Sequence, residues 1–375
     1  MPKEHPLAID EKYMALACKL ARRGEGKTSP NPMVGAVVIK AGRIIGTGYH
    51  KKSGAPHAEI AAFRNAESSL KGATLYVNLE PCAHYGKTPP CVDSIIAEKI
   101  RRVVIGAKDP NPLVKGKSIR LLKRQGVEVT CGVLEDRCRR LNEAFYTSME
   151  TGKPLVTLKA ATSLDGKIAC YTGRSKWISC AASREMGHRY RSLVDAILVG
   201  IGTVLKDDPQ LTVRGIAGAK NPMRIIMDSR LRIPLTAKIL RPEAPTLVVT
   251  TPAAPPEKVV QLEKKGVSVK IFKPNKKGRI PFSPLLRYLS RSERHHLMIE
   301  GGAGIYVSAF EEGIVDKCLF FIAPLLLGGR SAPMLLGGQG VKTPQQGYGF
   351  TDFTVSKSGC DLVLIGYLNG KGKVG

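Results

Sequence analysis

Long apolar runs are missing from this 375-residue chain. None approaches the roughly 20 residues that span a bilayer, so no membrane-crossing helix is expected. The first twelve residues carry Lys3, Glu4, Asp10 and Glu11 without an apolar stretch, which argues against an export signal and for a cytoplasmic protein. Cysteine occurs nine times, an odd number scattered from Cys18 to Cys360, and this excludes a fully paired disulfide framework. Aromatic residues are few, 6% of the chain with a single tryptophan, whereas platforms that stack nucleic-acid bases depend on them. Acidic residues are outnumbered: 58 Lys and Arg face 31 Asp and Glu, a formal net charge of +27. The excess is shared by both halves and forms no tail. It can attract polyanions without specificity, suit phosphorylated small molecules, or simply reflect the composition of the host's proteins. Repeats and low-complexity tracts are also lacking.

What is present is an ordinary globular composition, 43% hydrophobic and 24% charged, in a chain long enough for two cores. Apolar spacing predicts a helix over residues 10–23, strands over 34–39 and 43–49, a helix over 58–70 and a buried strand over 74–79. Pro89 and Pro90 mark a helix start with Cys91 in its first turn. Strand 102–106, helix 119–125 and strand 127–131 follow. The pattern restarts around Thr151, Gly152, Lys153 and Pro154, which divides the chain into domains 1–150 and 151–375. The second half reads as strands 155–160, 196–199, 224–227, 246–250, 267–272, 297–299, 318–322 and 362–368, with helices 183–193, 284–289 and 305–312. Strands alternating with helices mean layered α/β sheets.

The most informative segment is His57-Ala58-Glu59, followed by Pro81-Cys82 and Cys91. An imidazole and two thiolates are zinc ligands, and a hydrolytic site leaves one position of the tetrahedron to water. A nearby Glu that is not a ligand can move that water's protons, as in zinc deaminases acting on nucleobases. The two cysteines are separated by eight residues instead of the usual two, so a loop must leave the metal and return. His84, within that loop, is a candidate fourth ligand that would close the site into a structural one. In the second half, Glu300-Gly301-Gly302-Ala303-Gly304 follows a strand and opens a helix, where small residues let backbone N–H groups approach a phosphate. Ser163-Leu164-Asp165-Gly166-Lys167 and Asp207-Asp208-Pro209 read as turns.

Together, His57-Ala58-Glu59 and the run from Leu79 to Cys91 closely resemble the deaminase half of the bifunctional riboflavin biosynthesis family RibD, in which the eight-residue spacing is the usual one. Ser163 to Lys167, Gly200 to Val204, Asp207 to Pro209 and Glu300 to Gly302 resemble its reductase half. The resemblance implies a cytidine-deaminase-like three-layer α/β domain followed by a dihydrofolate-reductase-like α/β domain. The first would use Zn2+ to deaminate 2,5-diamino-6-(5-phosphoribosylamino)pyrimidin-4-one, and the second would use NADPH to reduce the ribosyl chain of the product to ribityl. It further implies His57, Cys82 and Cys91 as zinc ligands and Glu59 as the proton carrier. Asn31, His50, Lys87, Asp109 and Asn111 fall on contacts to the deaminase substrate. Ala161, Trp177, Thr203, Asp207, Ser229 and the turn Gly301, Gly302, Ala303 and Gly304 fall on NADPH contacts. Ser175, Arg191, Leu211, Arg214 and Glu300 fall on contacts to the reductase substrate, with Arg191 and Arg214 suited to its phosphate.

Two rival readings start from the charge. A tRNA or DNA deaminase would carry closely spaced cysteines and aromatic stacking residues, and a basic RNA-binding protein would close its zinc site with four protein ligands. The partners expected here are phosphorylated pyrimidines, with neither nucleic acid nor membrane. A homo-oligomer is compatible with the sequence but not dictated by it.

Overall fold

Alternate residues of each central strand face opposite ways, and in the first half of this chain both sets are apolar. The computed structural model describes residues 6–83, 89–112 and 114–371 and divides the chain into units Met1–Lys153 and Pro154–Gly375. The first unit runs α1 (Pro6–Ala21), β1 (Gly35–Lys40), β2 (Arg43–Tyr49), α2 (Ala58–Arg64), β3 (Thr74–Leu79), α3 (Cys91–Ala97), β4 (Arg102–Ala107), α4 (Lys117–Arg124), β5 (Glu128–Cys131), α5 (Glu135–Leu141) and α6 (Glu143–Thr151). Its sheet has the order β2-β1-β3-β4-β5, antiparallel between β1 and its two neighbours and parallel from β3 to β5. Val38, Val77 and Ile105 point into one apolar layer with α2, α3 and α4. Val37, Tyr76 and Val104 point into the other, with α1 and α5. The result is an α/β/α sandwich.

Two glycines decide where α2 sits. A Cβ on Gly48 would run into Ala58 O and Ala62 N, and one on Gly46 would meet Ala62 O at 2.5 Å. Bare backbone on β2 therefore lets α2 lie directly against the strand, with Ala58 and Ala62 fully buried beneath it. The helix predicted over 58–70 ends at Arg64, because the Glu67 N–H bonds to Ile45 O and the chain turns to run beside β2.

The second unit runs β6 (Leu155–Ser163), α7 (Ala181–Arg191), β7 (Ala196–Gly200), α8 (Ile201–Asp207), β8 (Met223–Met227), β9 (Thr246–Thr250), α9 (Pro256–Lys264), β10 (Ser268–Ile271), α10 (Phe282–Arg291), β11 (His296–Ile299), α11 (Ala303–Glu311), β12 (Lys317–Ala323), β13 (Tyr348–Ser358) and β14 (Asp361–Lys371). Nine strands form one sheet of order β10-β9-β8-β7-β11-β6-β12-β14-β13. It is parallel from β10 to β12 and antiparallel across β12, β14 and β13. Leu158, Leu198, Ile225 and Leu297 fill one face with α10 and α11, and Ile197, Val199, Ile226, Val248 and Met298 fill the other. β11 inserts between β7 and β6 although it follows both in the chain. That order brings the carboxyl ends of β6, β7, β8 and β11 together, the usual place for a ligand in an open α/β sheet.

Candidate functional site

In the first unit, His57 caps the N-terminus of α2 and Cys91 opens α3. Cys82 lies in the segment that follows β3. These elements converge. His57 Nδ1 is 3.2 Å from Cys91 Sγ and 3.5 Å from Cys82 Sγ, and the three donor atoms all lie within 4.8 Å of one another. Tetrahedral zinc with bonds of about 2.0–2.3 Å needs its donors about 3.6–3.8 Å apart, so the triad fits that ion with small adjustments. The Cys91 N–H points at Cys82 Sγ at 3.2 Å and supports negative charge there. A hydrogen bond from the Cys91 thiol, helped by His57, draws the Cys82 thiol down to about 4 despite burial, while that same bond and burial push Cys91 up. Among the described residues no fourth His, Cys, Asp or Glu joins the group. His84, the candidate closing ligand, lies outside them, as does Lys87.

Glu59 is 3% exposed in the first turn of α2. Burial raises its carboxyl and the Cys82 charge adds to this, while His57 and a hydrogen bond with Cys91 oppose it. A buried carboxyl that touches the Cys91 thiol and holds its proton more readily than usual has the character of a proton carrier.

His50, Asn31, Asp109 and Asn111 are also close by. Pro56 O can only accept, so the 3.1 Å contact from His50 Nδ1 places the proton there. His50 Nε2 is then left to accept from the Asn31 amide at 3.1 Å. Burial lowers His50 further, and its ring lies edge-on to His57 with centroids 5.8 Å apart. Asp109 is pushed up to about 6, chiefly by burial, and its Oδ1 accepts the Asn111 N–H at 2.8 Å. Glu80 ties this loop down: its carboxylate accepts the N–H groups of Asp109 and Gly116 and the Ser118 hydroxyl. Sequence reading passed over Glu80 because its three partners lie 29 to 38 residues away.

The second unit has a cavity of about 650 Å³ at the strand ends. Ala161, Ser175, Thr203, Asp207, Ser229 and Glu300 line it together with the turn Gly301 to Gly304. Gly301 and Gly302 have φ of +141° and +88°, and a Cβ on either would lie 3.2–3.3 Å from Thr203 Oγ1. Only glycine leaves bare backbone facing the cavity at the start of α11, which suits a cofactor phosphate. The donor set thus fits a dinucleotide.

Glu300 directly follows β11, and Arg191 is the last residue of α7. Arg191 donates Nε to Oε1 at 2.8 Å, Nη2 to Oε2 at 2.6 Å and Nη1 to Thr212 O at 3.2 Å. Arg214 approaches His188 Nε2 at 3.3 Å, and burial with two neighbouring guanidiniums pulls that imidazole down to about 4. Two expected contacts sit differently. Leu211 is 5% exposed with its side chain in the apolar core, so its backbone alone can face a ligand. Trp177 is not among the residues lining the cavity; it is 66% exposed, with the Arg184 guanidinium 4.6 Å from its ring centroid. Lys159, His188, Lys206 and Arg279 were not singled out from the sequence. Lys206 and Arg279 line the cavity. Lys159 is lowered by burial while Glu300 supports its charge.

Residues 154–364 match the RibD C-terminal domain family, and residues 7–107 match the cytidine and deoxycytidylate deaminase zinc-binding region. A riboflavin biosynthesis protein RibD from Aquifex aeolicus is 46% identical over 358 residues, covering 95% of this chain and 98% of that protein. The chain belongs to the RibD family. Among solved structures, Acinetobacter baumannii RibD superposes with a TM-score of 0.87 at 38% identity, covering 97% of this chain and all of that one. A Thermotoga maritima member, described as a diaminohydroxyphosphoribosylaminopyrimidine deaminase/5-amino-6-(5-phosphoribosylamino)uracil reductase, superposes with 0.83 at 34% identity and the same coverage. RibD membership also accounts for a zinc-binding deaminase region and a reductase domain in one chain. Among the described residues no helix is long and apolar enough to cross a membrane.

Proposed function

We propose that residues 1–150 deaminate 2,5-diamino-6-(5-phosphoribosylamino)pyrimidin-4-one to 5-amino-6-(5-phosphoribosylamino)uracil, and that residues 151–375 reduce the ribosyl chain of that product to ribityl. Both substrates are phosphorylated pyrimidines handled in the cytoplasm, and the reading calls for no nucleic-acid partner. One observation carries the reading: the approach of His57, Cys82 and Cys91 to a common point beside buried Glu59, in a chain that matches RibD along 95% of its length.

His57, Cys82 and Cys91 would hold Zn2+, which when bound supplies a Lewis acid and a water of lowered pKa. Glu59 takes a proton from the attacking water and returns it to the departing amino nitrogen. Asn31 and His50, each with a fixed hydrogen-bonding role, and Asp109 with Asn111 orient the ring and its phosphoribosyl arm; Lys87 is assigned to the same substrate. In the second half NADPH supplies hydride. Ala161, Thr203, Asp207, Ser229 and the Gly301 to Gly304 turn hold the cofactor. Glu300 and Ser175 face the sugar, and Arg214 faces the substrate phosphate. Arg191 keeps Glu300 ionised and aimed, a positioning role in place of a direct grip on phosphate.

The test uses the purified full-length chain. Ammonia release is followed with the diaminopyrimidine phosphate, and NADPH oxidation separately with its deaminated product. Both activities are expected. Absence of either from metal-replete protein overturns the corresponding half of the proposal.

A further inference from the structure

Away from both sites, the turn joining β13 to β14 meets the start of α7. Cys180 Sγ, Cys360 Sγ and a carboxylate oxygen of Asp361 all lie within 4.8 Å of one another, the same closeness as the triad of the first unit. The Cys180 N–H donates to Asp361 Oδ2 at 2.9 Å, and the Cys360 thiol points at Oδ1 from 3.5 Å. The Cys180 thiol lies 3.1 Å from Ser358 O and 3.5 Å from Ser183 Oγ. Gly359, with φ of +60°, makes this approach possible, since a Cβ there would come within 2.9 Å of Cys180 Sγ. Asp361 is 1% exposed, Cys180 is half-buried and Cys360 is open to solvent.

Three groups able to carry negative charge are thus held together, one of them buried and one within reach of solvent.

We propose that Cys180, Cys360 and Asp361 form a second metal site that binds a soft or borderline divalent cation of the zinc and cadmium class. Thiolates select such ions over magnesium or calcium, and a carboxylate completes a mixed sulfur and oxygen set. Binding exchanges two thiol protons for one divalent ion and leaves the Asp361 charge in place. Affinity therefore falls as pH drops and the thiols reclaim their protons. The ion would tie the β13–β14 turn to the N-terminus of α7, the helix whose last residue is Arg191.

The experiment titrates Cd2+ alone into reduced, full-length, zinc-loaded protein, reading cadmium–thiolate absorbance and total metal per chain after desalting. Cys360→Ser is the main variant, since that side chain is exposed and lies outside both sites. The native chain should retain one more metal ion than Cys360→Ser, while the variant keeps the first-unit metal and ammonia release. Cys180→Ser should behave in the same way. Equal metal content in native and variant proteins overturns the proposal. So does a native chain whose Cys180 and Cys360 pair as a disulfide under the reducing conditions of the titration.

Discussion

Arg191 and Glu300 face each other as a two-pronged ion pair, at 2.8 and 2.6 Å, with side chains 16% and 6% exposed. Burial alone would raise the Glu300 carboxyl; the charges of Arg191 and Lys159 reverse this and hold it at about 2. Because the folded value is depressed, the stabilisation is present above the unfolded carboxylate range, about 4.3. It is lost as pH falls from there towards 2.

Arg191→Ala strands a buried carboxylate, and breaking such a pair costs about 3–5 kcal/mol. Urea unfolding should show that loss in the transition of the second unit, with reductase kcat falling at least about tenfold and ammonia release unchanged. Arg191→Lys restores charge without the fork and should recover only part of the rate. If Arg191→Ala raises KM alone at unchanged stability, the residue grips substrate directly and the positioning role is wrong.

Glu59→Gln removes the proposed proton carrier and leaves His57, Cys82 and Cys91 in place. Metal analysis should find zinc retained, ammonia release should fall by about 10²–10⁴-fold, and NADPH oxidation with the deaminated substrate should persist. Comparable ammonia release from the variant would remove Glu59 from the chemistry.

Glu80→Ala leaves the Asp109 and Gly116 N–H groups and the Ser118 hydroxyl without their acceptor. At about 1–3 kcal/mol for each buried group left unpaired, with partial rescue by water, a loss of about 2–4 kcal/mol is expected in denaturant titration. The loop bearing Asp109 and Asn111 loosens, so deaminase KM should rise more than kcat falls. An unchanged KM would separate Glu80 from substrate positioning.

His188 is held neutral, with burial first and Arg191 and Arg214 next drawing it to about 4. Between there and the unfolded value, about 6.5, the unfolded chain binds a proton that the folded chain refuses, so stability declines as pH is lowered through this window. His188→Gln should flatten the decline between pH 7 and 5 by roughly 1 kcal/mol, after halving the linkage value for the partial solvent access of the ring. Paired urea titrations at the two pH values measure it. An identical slope in native and variant proteins contradicts the assignment.

The convergence of His57, Cys82 and Cys91 was legible because metal coordination admits few residue types, and the three sit at element boundaries marked by a buried strand and two prolines. Strands β2 and β9 emerged with the expected ends, since turn residues or prolines flank their apolar runs. Helices α5, α6, α8 and α9 were not foreseen; they are short, and each buries only one or two residues. Strand β13 escaped notice because two register shifts near Tyr348, Phe350 and Asp352 break its alternation, and most of it is exposed. The expected division at 150/151 falls within the last turn of α6, a helix that runs to Thr151.

By itself, the amino-acid sequence determined the layered α/β class, the candidate ligand set His57, Cys82 and Cys91 and the glycine turn before α11, because each depends on residue type and on spacing over a few positions. Folding alone decided that Arg191 would clamp Glu300 across 109 residues of chain, that Glu80 would anchor the Asp109 loop, and that Cys180 would meet Cys360 and Asp361. Those contacts arise from strand order and helix docking, where burial turns a distant charge into a strong neighbour, and no local pattern in the chain encodes which charge that will be.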